Sequence, residues 1–268
     1  MLALPRAVTG HRFPSGDSPR PRSQSTPSTM ASELHLEVEA APVDATRRKV
    51  KPPPQSTAIS APFDYSPSDD GTDENLLVLL HGLGDTHLPF GKLGRSFKLP
   101  QTATLALRAP EQIPYLYEQA FQWYPSFDPL GDVLAAPRSG GSVAAESAQK
   151  WWRRALQLQQ TSDNTSLQPF GSVVTVGGPL LSYPTLSALC TTPVLVFHRP
   201  PPAEPSLPRD ALPAFRKGFT RVIDVEKSGE GMPRSRDEWH PIMQLWSERL
   251  GRRQVDGFYE VMTGANAA

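Results

Sequence analysis

The residues with the clearest chemical content are His81-Gly82-Leu83-Gly84-Asp85, which follow directly on the apolar run Leu76–Leu80. In an α/β sheet, ligands bind beyond the carboxyl ends of the strands. Glycines at such a turn bring the backbone close to a substrate with no Cβ in the way. The N–H groups exposed there suit a developing oxyanion. The same residues also make an ordinary strand-to-helix turn, and on their own they leave the two readings open. Cys190 is the single cysteine, so neither an internal disulfide nor a zinc-ligand set is available, and no metal site is expected.

The elements that must position this turn are legible as apolar runs. Leu76–Leu80 is apolar at every position, which is what a parallel strand covered on both faces requires. Ala103–Leu107, Ser172–Val176, Pro193–His198 and Phe219–Val225 follow the same grammar. Between some of them lie helical patterns. Val143–Leu158 carries an apolar stripe through Ala148, Trp151 and Ala155, and Trp239, Met243 and Trp246 recur at helical spacing. Strands alternating with helices predict an α/β fold with a mostly parallel central sheet flanked by helices.

Composition narrows the remaining classes. Lys+Arg 27 against Asp+Glu 27 leaves no net charge to attract nucleic acid or an anionic membrane. No apolar run approaches the roughly 18–20 residues of a transmembrane helix. A lone cysteine suits a reducing compartment, so a cytoplasmic location is expected. Residues 1–74, with Pro19-Arg20-Pro21-Arg22, a Ser/Thr-rich stretch and Pro52–Pro54, read as a disordered extension, since so little apolar surface cannot offset the entropy of ordering. Its Arg- and Ser-rich first 29 residues and the basic cluster Arg47-Arg48-Lys49 keep mitochondrial and nuclear addresses as alternatives.

Leu76–Thr86 (LLVLLHGLGDT), Leu99–Pro110 (LPQTATLALRAP) and Phe121-Gln122-Trp123-Tyr124 together resemble the opening half of acyl-protein thioesterases and related carboxylesterases. Gly171–Leu181, Thr192–Arg199 and Gly231-Met232 are similar to the later strands and final loop of that family. The resemblance implies an α/β-hydrolase domain over 75–253, followed by a tail at 254–268. It implies serine-hydrolase chemistry on an acylated protein or a lipid ester, with no cofactor.

Such chemistry needs a nucleophile on a strand-to-helix elbow, a histidine to take its proton and an acid to orient that histidine. In the family register, with Gly140-Gly141 as the paired glycines of the elbow, the nucleophile position falls on Arg138. Ser139 then takes the place of the second oxyanion donor, and Arg234 that of the histidine. Arginine does neither job. A shifted frame makes Gly140-Gly141-Ser142-Val143-Ala144 a loose elbow, with Ser142 as nucleophile; the same serine also reads as a helix N-cap. The set that keeps hydrolase chain order is Ser142, Asp210 and His240, with the Leu83 N–H in the oxyanion hole. His240 precedes Pro241 and could open a helix, but Ser235 and Glu238 are spaced as a capping box, which puts His240 inside one.

The middle of the chain is short. Gly140 follows Tyr124 by only 16 positions, where the family has a loop, a helix and the elbow strand. A parallel strand with its crossover helix needs a dozen residues or more. The expected fold is therefore reduced in the middle, leaving strand edges unpaired and an apolar face uncovered. Loss of an internal segment accounts for this with the flanks intact; a reduced, catalytically dead relative that binds an acyl group or a partner protein is the alternative.

Overall fold

The computed structural model describes residues 50–114, 119–128, 132, 139–160, 168–185 and 187–250. The apolar run after Glu74 forms β2 (Asn75–Leu80), once a shorter strand, β1 (Phe63–Ser66), has already been laid down. β3 (Thr102–Leu107) lies between them. It runs parallel to β2 from Asn75↔Thr102 to Leu80↔Leu107 and antiparallel to β1 from Phe63↔Leu107 to Ser66↔Thr104. Helix α1 (His87–Ser96) connects β2 to β3.

β1 falls inside the segment that the sequence assigns to the extension, so the fold begins before residue 75. Four residues of weak alternation give too short a signal to stand out from the surrounding Pro and Ser.

After a two-residue antiparallel pair, β4 (Glu111–Gln112) and β5 (Phe121–Gln122), the chain enters α2 (Gly140–Gln160). A second parallel sheet follows, in the order β6 (Val173–Val176), β7 (Val194–His198), β8 (Val222–Glu226). Helix α3 (Ala211–Gly218) joins β7 to β8, and α4 (Arg236–Ser247) closes the described chain. Pro213 obscures α3 in the sequence. It sits in the first helical turn, where its missing N–H had no intrahelical partner to lose.

β7 shows why its sequence is apolar throughout. Val194 and Val196 pack with Ala145, Ala148, Phe215 and Phe219 of the α2/α3 layer. Leu195 and Phe197 point the other way, against Ile242 and Leu245 of α4. All four strand residues are fully buried, each contributing about 1.5–3 kcal/mol of transfer free energy. α4 starts where the sequence suggested, with Ser235 and Glu238 forming a reciprocal capping box. Phe97, at the end of α1, meets Trp239 and Trp246 of α4 edge-on, at 5.0 and 5.3 Å between centroids.

The mostly parallel sheet is thus present in two halves, β1-β3-β2 and β6-β7-β8. Among the described residues nothing pairs with the free edge of β2 or with that of β6. On β2 the cost is visible in Leu76 and Val78, which are 40% and 45% exposed.

Candidate functional site

The turn after β2 is held from three sides. His81 is fully buried. Its Nε2 accepts the Ala109 N–H at 2.9 Å, which leaves the proton on Nδ1, donated to the Gly82 carbonyl at 2.7 Å. Burial accordingly pushes the His81 pKa below its ordinary value. The His81 carbonyl accepts from Trp123 Nε1 at 2.8 Å and from the Gly140 N–H at 3.2 Å. Gly84 takes a positive φ of 81° and donates its N–H to the Phe121 carbonyl at 3.0 Å. Between them Leu83 is half-buried, and among the described residues its N–H has no acceptor.

The first turn of α2 closes onto this structure. A Cβ on Gly140 would lie 2.5 Å from the His81 carbonyl oxygen and 2.6 Å from that of Leu80, while one on Gly141 would meet Thr175 Oγ1 of β6 at 2.3 Å. Only glycine lets the helix start wedge between the carboxyl ends of β2 and β6. Ser142 follows as the third helical residue rather than as the N-cap, and it is fully buried. Its Oγ and that of Ser139 are inaccessible and, among the described residues, have no hydrogen-bond partner. Arg138 lies outside the described residues.

The other candidates lie at the later helices α3 and α4. Asp210 is exposed at the N-cap position of α3 and makes no cap bond through its side chain. His240 is exposed on α4, five residues beyond the capping serine, so it is an interior helical residue and not a helix-opening one. No hydrogen bond among the described residues joins Ser142, Asp210 and His240. Arg234 is exposed, and its N–H donates to Glu238 Oε2 at 2.7 Å.

One residue with no cue in the sequence organises the loop where the resemblance places the histidine. Arg199, directly after β7, is 1% exposed. It is ion-paired with Glu238 and donates to the carbonyls of Gly231 (3.1 Å), Ser228 (2.8 Å), Lys227 (3.3 Å) and Met232 (3.4 Å). Its guanidinium also lies over the Phe197 ring at 4.8 Å. The Arg199 hydrogen bond and the N–H groups of Arg234 and Ser235 hold the Glu238 carboxyl at about 2. The strand end where the family's acid belongs and the loop where its histidine belongs are thus tied together by a structural ion pair. The capping box was a local cue to Glu238; nothing local marks Arg199.

Also at the end of β7, buried His198 places Nε2 2.9 Å from Asp224 Oδ1, with Glu226 at 3.8 Å from Nδ1. Both ring nitrogens therefore face β8, and neither is turned to a substrate. Among the described residues, no group of three His, Cys, Asp or Glu is arranged to hold a metal ion, and no helix is long and apolar enough to cross a membrane.

Comparison with known proteins agrees with this architecture. The profile of the phospholipase/carboxylesterase family matches residues 67–137. An uncharacterised hydrolase of Mycosarcoma maydis is 31% identical over 244 residues, 79% of this chain and 91% of its own length. Among solved structures, acyl-protein thioesterase 2 of Zea mays superimposes with a TM-score of 0.54 at 18% identity, covering 71% of this chain and all of its own. Esterase PE8 gives 0.50 at 19% identity, covering 71% and 98%. The structural matches speak for the fold; the long alignment with the fungal hydrolase and the profile match speak for descent. The chain belongs to the phospholipase/carboxylesterase family of α/β-hydrolases.

Proposed function

We propose that the carboxyl edge around Leu83 and the first turn of α2 binds the acyl carbonyl of an ester or thioester, on an acylated protein or a lipid, and holds it without turning it over. The observation behind this reading is the Arg199–Glu238 ion pair, which fixes the loop at Gly231-Met232 as structure, with Arg234 and no histidine at the position where the resemblance expects the base. A serine hydroxyl needs such a base to become a nucleophile. The buried, free Cys190 fits a reducing compartment, and we place the chain in the cytoplasm.

A second reading, hydrolysis itself, is favoured by Ser142. Its hydroxyl is buried, without a partner among the described residues, on the opening turn of a 21-residue helix, where the helix dipole favours negative charge. There Ser142 is the nucleophile, His240 the base, Asp210 the orienting acid and the Leu83 N–H the oxyanion donor. A fluorophosphonate probe separates the two. The binding reading expects no covalent labelling of folded chain, together with saturable binding of a non-hydrolysable long-chain acyl thioether. Labelling that Ser142→Ala abolishes would establish the hydrolase and overturn the binder.

A further inference from the structure

The same edge of the sheet carries a second group of polar side chains that acyl binding does not use. Arg108 is the first residue after β3, one position beyond the last β2–β3 pair, Leu80↔Leu107. Its guanidinium lies over the Phe121 ring at 4.3 Å, and among the described residues its buried Nε has no hydrogen-bond partner and its side chain no ion pair. His87, the first residue of α1, has an Nδ1 that is buried and, among the described residues, unpartnered.

The fold brings these two together. Gly94 of α1 packs against Thr104, and Gly91 packs against Asp64, which is paired with Ala106. The helix therefore runs antiparallel to β3. At about 1.5 Å per helical residue and about 3.3 Å per strand residue, His87 reaches the level of Arg108. Consistent with that proximity, burial first and then the Arg108 charge push the His87 pKa below its ordinary value, against the pull of Asp64. The acids nearby are already engaged: Asp64 with Arg95 at 2.9 Å, and Asp85 with the Thr86 N–H at 2.7 Å.

Buried donors without partners are costly and rare unless something completes them. A guanidinium fork matches the oxygens of carboxylate and phosphate, and a neutral imidazole supplies one further N–H. We infer that Arg108 and His87 form a cradle for a small oxyanion, a carboxylate or a phosphate, beside the Gly82–Gly84 turn. The cradle does not depend on the acyl-binding reading, because neither residue belongs to that site.

Isothermal titration of the full chain at low ionic strength tests it, with inorganic phosphate and with acetate as separate probes. Saturable binding of at least one is expected, weakened tenfold or more in Arg108→Gln, partly kept in Arg108→Lys, and weakened at least threefold in His87→Gln. The tighter probe identifies which oxyanion the cradle takes. Circular dichroism of each variant reports folding, and His87→Gln carries the test where Arg108→Gln does not fold. No saturable binding of either anion by the wild type would overturn the inference, as would unchanged binding in the folded variants.

Discussion

Glu238→Gln isolates the ion pair that ties the end of β7 to the capping loop of α4. The substitution keeps the shape of the side chain and an oxygen to accept the Arg234 and Ser235 N–H groups at 2.7 and 3.1 Å. What it removes is the charge opposite a guanidinium that is 1% exposed. Breaking a buried pair by deleting one partner costs about 3–5 kcal/mol. Arg199 keeps four carbonyl acceptors and the Phe197 ring, so the low end applies, about 3 kcal/mol. At roughly 2–4 °C per kcal/mol for a domain of this size, Tm should fall by about 6–12 °C. The pH dependence gives a second readout. Glu238 is held at about 2 in the fold, against about 4.3 unfolded. Its stabilisation is therefore complete above that unfolded value and is lost as pH falls towards 2. Urea unfolding from pH 7 down to pH 3 should show a shallower acid limb in Glu238→Gln than in the wild type. A variant within about 0.5 kcal/mol of the wild type at pH 7, the range of an ordinary surface change, would refute the reasoning.

Other sites make separate predictions. His81 is neutral in the fold with its pKa depressed, so stability should be complete above about pH 6.5 and fall below it, by up to about 1.4 kcal/mol per pH unit. Denaturant titrations at pH 7.5 and 5.5 measure this, and His81→Gln should reduce the difference without abolishing it, because His87 titrates in the same sense. Gly140→Ala drives a Cβ into two carbonyl oxygens and should cost about 1–3 kcal/mol in urea unfolding. Val78→Lys places a charge on the exposed face beside the free edge of β2. It should change stability by less than about 0.5 kcal/mol while reducing self-association in sedimentation velocity.

What could be read in advance was what is local. The strands β2, β3, β6 and β7 announce themselves because each is a short, nearly continuous apolar run, although one face of β2 is left exposed at Leu76 and Val78. In so short a run, apolar side chains at every position suit a strand inside a layered sheet better than a surface helix or a loop. The His81–Gly84 turn was legible for the same reason: its glycines and its place after a strand are neighbours in sequence. β1 and α3 were not, the one too short for a period to develop and the other masked by Pro213. Arg199 stayed hidden because an arginine followed by three prolines looks like surface loop, whereas its burial is created by Glu238, 39 positions away. The burial of Ser142 was equally out of reach, since it depends on α2 wedging between strands that the sequence alone does not join. His240 shows the reverse case. The capping box that places it inside α4 was visible, and it outweighs the hint from Pro241.

The free edges of β2 and β6 bear on how the molecule comes apart. No backbone ladder among the described residues crosses from one half-sheet to the other. Among the described residues the contacts that bridge them include the Gly140 N–H to the His81 carbonyl and the packing of Phe97 on Trp239 and Trp246. Loosening β1-β3-β2 should therefore break that hydrogen bond and those aromatic contacts while leaving the ladder through β7 intact. The amino-terminal half should open as a local unit of its own. Its amides should exchange with solvent through excursions that leave Val194–Phe197 protected, and the turn bearing Leu83, which follows β2, should move with it.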